Sequence, residues 1–218
     1  MQNHKKQKLT DLTHPLTEST PVFPGDPSFK KIEIASLHSG SCYNLSSLHM
    51  GNHTGTHIDF PAHVNNSGKT SSDYTLDDLS GEGIIIEYPK TEDERIFGIS
   101  KEFIHKQKIK KGDIIFFKTS NGNISLDTLS EEFVFLSKEG AKELVEKKVS
   151  IVGIDYMSID SLADENLSAH HALLGNNIPV VENLCLNKIN PGRYYFYIVP
   201  LNIPGMDGQQ VRVFARRL

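Results

Sequence analysis

Apolar and polar residues alternate in short bursts along the chain, each closed by Gly, Pro, Asn, Asp or charge. This punctuation predicts many short strands rather than long helices. Lys31–His38 and Tyr43–Met50 alternate in the first third and read as strands. Further on, Gly83–Tyr88, Asp113–Lys118, Val149–Asp155 and Ile178–Glu182 are short, nearly continuous apolar runs. Such runs suit strands buried on both faces, so they predict a covered central sheet. Tyr194–Val199 and Gln210–Phe214 add two strands, joined through Pro204-Gly205 and Asp207-Gly208, residues that suit a turn.

Helical periodicity is confined to three places. After Ser137, a good N-cap, the run to Lys148 puts Ala141, Leu144 and Val145 on one face. A second helix is expected from near Ser100, and a short third from Ser168 to a closing Gly175. The polar stretch Asn65–Asp73 reads as a loop. With 218 residues and no internal repeat, the whole chain, 1–218, reads as one α/β domain.

Composition narrows the function classes. Hydrophobic residues make up 38% and charged residues 23%, enough apolar material for a folded core. The net charge of -4 argues against a nucleic-acid partner, and the basic clusters Lys5–Lys8 and Arg216–Arg217 read as solvated tails. No apolar run reaches the ~20 residues needed to cross a bilayer, so the expectation is a cytoplasmic protein with no membrane partner. Cys42 and Cys185 stand alone, in neither a disulfide framework nor a thiolate metal spacing.

The chemistry concentrates elsewhere. Of ten histidines, His49, His53, His57 and His63 fall between positions 49 and 63, where an even spread would put about one. His53 and His57 have the i, i+4 spacing of zinc-protease helices, but Gly51, Gly55 and Pro61 oppose a helix, and no Glu follows the first His. In an extended chain, alternation would instead point 53, 57, 59 and 63 the same way. Three imidazoles and the Asp59 carboxylate would then converge, a donor set that suits Zn²⁺ or Mn²⁺. A carboxylate can also bridge two ions, and further ligands could come from Ser168–His171 and from Glu182, an acid that would be costly to bury unpaired.

These residues resemble the cyclase-type metal-dependent hydrolases, a family that includes bacterial kynurenine formamidase and isatin hydrolase. The likeness runs through Phe23–Asp26, His53–His63, Gly153–Asp160, His170–Leu174, Ile178–Leu184, Pro200-Leu201, Asp207-Gly208 and Val211-Arg212. It implies an α/β fold on a mixed, barrel-like sheet with a few flanking helices, and a homo-oligomer, with a homodimer as the expected form. It implies two Zn²⁺ per subunit, with Mn²⁺ an alternative: one held by His53, His57 and Asp59, a second by His170 with Asp59 and Glu182 bridging. His170 is chosen over His171 on the family pattern, and His63 is the implied catalytic proton carrier. The implied reaction is hydrolysis of N-formyl-L-kynurenine to L-kynurenine and formate, with a metal-activated water attacking the amide.

One departure concerns the substrate. The family's kynurenine formamidases usually carry Trp before Pro-Gly-Asp, where this chain has Phe23, still an aromatic face for an aryl formamide. Two rivals stand beside this reading. One is hydrolysis of a cyclic amide or lactone on the same site. The other is a metal-binding protein without catalysis, against which His63 weighs as an imidazole that a sensor does not need.

Overall fold

The apolar runs of the sequence become strands of one sheet. The computed structural model describes residues 8–89, 98–124, 130 and 132–218. In chain order its elements are β1 (Thr10–Asp11), β2 (Lys30–Ala35), β3 (Leu45–His49), β4 (His57–Asp59), β5 (Ser80–Glu87), β6 (Gly98–Ile99), α1 (Lys101–His105), β7 (Ile114–Lys118), β8 (Phe135–Leu136), α2 (Lys138–Glu146), β9 (Ile151–Ile154), α3 (Ser168–Leu174), β10 (Val180–Glu182), β11 (Gly192–Pro200) and β12 (Gly208–Arg217). The large sheet runs β1-β12-β11-β5-β7-β9-β10-β4, and a further β12–β4 pairing closes seven of its strands into a barrel-like ring. The β5, β7, β9 and β10 strands pair in parallel, while the other pairings in this sheet are antiparallel. Closure leaves β4 with hydrogen-bonded neighbours on both sides, so it has no free edge.

Two packed layers follow from the period of two along each strand. Ile114 and Phe116 of β7 point into the barrel with Ile58, Val181, Phe196 and Val213. Ile115 and Phe117 point out and pack with Ile104, Leu144 and Leu173 from the three helices. Both faces of β7 are therefore buried, which is why its sequence is continuously apolar. Each such fully buried side chain contributes roughly 1.5–3 kcal/mol.

The helices start where their caps predict. Ser100 Oγ accepts from the Phe103 N–H, and Ser137 Oγ from that of Gly140. Gly175 closes α3 as expected, in a right-handed conformation with φ -62°. No helix of the described residues is long and apolar enough to cross a membrane.

Three expectations need correction, and the placement of β2 and β3 is one the sequence does not forecast. The first predicted strand ends at Ala35, and Leu37–Ser39 form a 3-10 turn. β2 and β3 pair only with each other, outside the barrel, and Ile32, Ile34, Leu45 and Leu48 are exposed. The loop before residue 73 ends in a 3-10 turn, Ser71–Asp73, because Thr70 and Asp73 cap each other. Arg216 and Arg217 are not a tail: both lie in β12, and the Arg216 guanidinium stacks 5.2 Å over the Tyr195 ring. Of the N-terminal basic cluster, Lys5 and Lys6 lie outside the described residues.

Candidate metal centre

β4 is three residues long, and its alternation sorts the site from the core. Ile58 enters the barrel interior, so His57 and Asp59 face outward. The single extended strand expected over 53–63 is not formed. His53 lies in a turn in which Gly55 takes φ +71°, and His63 closes a 3-10 turn, Pro61–His63. The same Gly and Pro that rule out a helix also end the strand on both sides. The four side chains still converge, because these turns fold both flanks back over the strand.

Two other elements complete the cluster. β10 pairs with β4 in a register that sets Glu182 opposite His57, and α3 brings in His170. His57, Asp59, His170 and Glu182 are each at most 4% exposed. Asp59 Oδ1 lies 2.7 Å from His53 Nδ1 and 3.4 Å from His57 Nε2, while Oδ2 lies 3.4 Å from His170 Nε2. Glu182 Oε2 lies 3.3 Å from His57 Nε2, and Oε1 lies 3.2 Å from His170 Nε2. Asp59 thus belongs to two donor groups, His53–His57–Asp59 and Asp59–His170–Glu182, each with ligand atoms within 4.8 Å of one another.

The Asp59 oxygens test whether a cation fits. Both are buried and neither has a hydrogen-bond partner in acceptable geometry, although imidazole nitrogens stand close by. Lone pairs that crowd together without sharing protons properly aim at common points, which a cation would satisfy and a hydrogen-bond network would not.

Each imidazole is anchored from behind. Its other ring nitrogen meets an acceptor: Asp207 Oδ2 at 3.1 Å for His53 Nε2, the Gly55 carbonyl at 2.8 Å for His57 Nδ1, and Asp160 Oδ2 at 2.6 Å for His170 Nδ1. A neutral imidazole has one N–H, so these acceptors leave a lone pair on the nitrogen that faces the carboxylates. Asp160 also accepts the Ala169 and His170 backbone N–H groups at the start of α3. Gly208 is required for a steric reason: a Cβ there would overlap the His53 ring.

Two strained residues flank the elements that carry the cluster. Leu167 before α3 has φ +46°, and Asn183 after β10 has φ +57°. Such conformations cost about 1–3 kcal/mol each and persist where the surroundings enforce them. Asn183 is held by its N–H on the Tyr156 carbonyl at 2.6 Å and by the Thr56 hydroxyl on its own carbonyl at 2.7 Å.

Without a cation, protons hold this cluster together. Burial opposes a charge on His57, but Asp59 and Glu182 outweigh it and push its pKa up to about 10. His170 and His53 are raised against burial for the same reason. Burial likewise opposes ionisation of Asp59 and Glu182, yet the imidazoles hold both below the usual carboxylate range.

The cluster forms the floor of a cavity of about 280 Å³, with Phe23, Asp26, Met157, Ser158 and Leu167 on its walls. His63 lines it too, its ring 4.3 Å from that of His53 and 5.7 Å from that of His170. His49 is exposed on β3 and His171 is exposed on α3, so neither joins. Asp160 and Asp207 are the polar residues to which the sequence alone assigns no role. An Asp ten residues ahead of His170, and an Asp-Gly opening a strand, are the signals that could have found them.

The fold and the site together define a class: closed mixed barrels that carry a carboxylate-centred His/Asp/Glu cluster on the outer face of a short strand. The chain belongs to the Cyclase family, whose model matches residues 10–161. It is 32% identical over 209 residues to a kynurenine formamidase of Salinibacter ruber, covering 95% of this chain and 97% of that protein. A predicted metal-dependent hydrolase from Bacillus stearothermophilus has a similar structure, with a TM-score of 0.82, 31% identity and coverage of 96% and 98%. Isatin hydrolase A from Labrenzia aggregata, at TM-score 0.84 and 22% identity over 96% and 93% of the chains, shares the fold.

Proposed function

We propose that the protein is a metal-dependent amide hydrolase that cleaves N-formyl-L-kynurenine to L-kynurenine and formate. The observation that carries this reading is Asp59, a buried carboxylate without hydrogen bonds at the junction of two donor groups. His53, His57 and Asp59 would hold one divalent cation, and His170, Glu182 and the shared Asp59 a second. Nitrogen and oxygen donors without thiolate suit Zn²⁺ first and Mn²⁺ second. Cations bound there would supply an acidified water at neutral pH and a polarised substrate carbonyl.

The chain's own residues supply the remainder. His63 takes a proton as the water attacks and returns it to the departing aryl amine, which leaves with the C–N bond electrons. The Phe23 ring on the cavity wall offers a face to the aryl group. Asp160 and the Gly55 carbonyl keep His170 and His57 turned toward the carboxylates, and the apolar walls at Met157 and Leu167 limit bulk water.

A second reading, opening of a cyclic amide or lactone, is favoured by one observation: Phe23 is smaller than Trp and lacks its N–H. A panel of N-formyl aryl amines against cyclic amides, with the zinc-loaded and the manganese-loaded protein, separates the two. The formamides should turn over at least tenfold faster, and a preference for cyclic amides would replace the first reading with the second. The working form is a homodimer, for which the exposed apolar side chains of the β2–β3 hairpin offer a surface, since an isolated two-stranded hairpin is marginal in water. The two free cysteines suit a reducing cytoplasm.

A further inference from the structure

We infer that Asp207 is a positioning residue that fixes two imidazoles at once, the candidate ligand His53 and the candidate proton carrier His63. The inference rests on the reading of His63 given above and adds the group through which it acts.

A single oxygen, Asp207 Oδ2, stands 3.1 Å from His53 Nε2 and 3.3 Å from His63 Nδ1. A carboxylate has no proton to give, so both ring nitrogens facing it must be N–H. For neutral imidazoles that assigns both tautomers. His53 keeps its lone pair on Nδ1, which points at Asp59, and His63 keeps its lone pair on Nε2, free to accept a proton from a water in the cavity. The other tautomer of His63 would turn a lone pair toward the carboxylate and present an N–H to the water, and could not act as a base.

Asp207 is itself fixed. Its Oδ1 accepts from Asn52 Nδ2 at 2.8 Å, and its backbone carbonyl accepts from the Phe60 N–H at 2.7 Å, between Asp59 and His63 in sequence. Next to it, Gly208 pairs in register with Asp59, with its Cα against the His53 ring. The carboxylate is thus held from both ends, independently of the imidazoles it serves. The two rings, 4.3 Å apart, face it side by side.

The test uses Asp207→Asn, His63→Gln and the double variant, each compared with the unaltered chain. The Asn side chain has a single acceptor oxygen, and no charge, for the three donors on Asn52, His53 and His63, so its hold on the two imidazoles is weakened. The first readout is ¹⁵N NMR of the imidazoles in metal-free and zinc-loaded protein. His63 should be in the Nδ1–H form in the unaltered chain and lose that preference in Asp207→Asn. The second is zinc affinity measured by competition with a chelator, which should fall by about 10–100-fold through His53. The third is kinetic: Asp207→Asn should lower kcat by about 10–10³-fold with KM changed less than about threefold, and should cost little further kcat in the His63→Gln background.

An unchanged His63 tautomer, or kcat losses that multiply in the double variant, would overturn the inference. So would a third zinc bound per chain through His53, His63 and Asp207, because that group would then be a metal site. If the zinc-loaded unaltered chain hydrolysed no amide, the proposed function would fail, while the tautomer and affinity readouts would still decide the role of Asp207.

Discussion

Asp59 and Asp155 are both buried carboxylates, 0% and 4% exposed, at the ends of strands separated only by β10. Their surroundings differ. Asp155 meets neutral donors: the Thr119 hydroxyl at 2.7 Å and the Thr119 N–H at 2.8 Å. Burial prevails over those hydrogen bonds and pushes its pKa up to about 6. Asp59 meets only imidazoles, none of them in good hydrogen-bond geometry, and their charge keeps it ionised well below the usual range despite deeper burial. The lesson is that burial alone does not mark a functional acid. Asp155 is satisfied by an N–H and a hydroxyl, whereas Asp59 is left without such donors, as the proposed cation ligand should be.

The sharpest way to break this comparison is to neutralise each acid in turn. Asp59→Asn should abolish bound divalent metal and lower hydrolysis by about 10⁴-fold or more, roughly 5 kcal/mol of barrier. Asp155→Asn should keep its metal by elemental analysis. Equal metal loss in both would end the distinction.

His63→Ala should come next, retaining metal while kcat falls by about 10²–10³-fold. His57→Ala, by contrast, should lose metal and turnover together. A His63→Ala protein with normal turnover would remove this residue from the chemistry.

The two surroundings should also separate by pH, through His57 beside Asp59 and through Asp155 itself. A raised pKa means that the folded chain binds the extra proton, so the stability is lost as the pH rises through the interval between the unfolded and folded values. For His57 in metal-free protein that interval runs from about 6.5 to about 10, and the Tm should fall across it by several degrees. Saturating zinc displaces the imidazole protons, so zinc affinity should rise across the same interval and the Tm of loaded protein should fall less. For Asp155 the interval is 3.8 to about 6, worth roughly 3 kcal/mol. Subtracting the Asp155→Asn melting curve from that of the unaltered chain should reveal a step in this acid interval alone.

The smallest expected effect is at the cavity wall. Phe23→Trp should lower KM for an N-formyl aryl amine by a few fold with little change in kcat, and Phe23→Ala should raise it by about tenfold. A change in kcat without a change in KM would mean that Phe23 does not hold the aryl group.

Much of this contrast between core and site is legible in the sequence. The continuous apolar runs at 113–118 and 149–155 forecast strands buried on both faces, and Phe116 and Phe117 indeed divide between two packed layers. The crowding of His53, His57, Asp59 and His63 forecasts a convergent site, because imidazoles and carboxylates rarely gather without a shared task. The route to convergence is not legible. It depends on the positive φ of Gly55 and on the turn at Pro61, where local backbone choices outweigh alternation. Asp160 and Asp207 stay hidden because their partners are ten and well over a hundred residues away, and a hydrogen bond to the far side of a ring leaves no periodic trace. The β2–β3 hairpin has the same alternation as a half-buried strand, and nothing in its residues says that it packs outside the barrel.

The central claim is tested most directly by measuring bound metal and N-formyl-L-kynurenine hydrolysis on the same purified sample, before and after chelation and after adding zinc back. The account predicts up to two divalent ions per chain, hydrolysis that disappears with them, and recovery on re-addition. Hydrolysis that survives complete removal of metal, or a chain that binds no divalent ion and hydrolyses nothing, would contradict it.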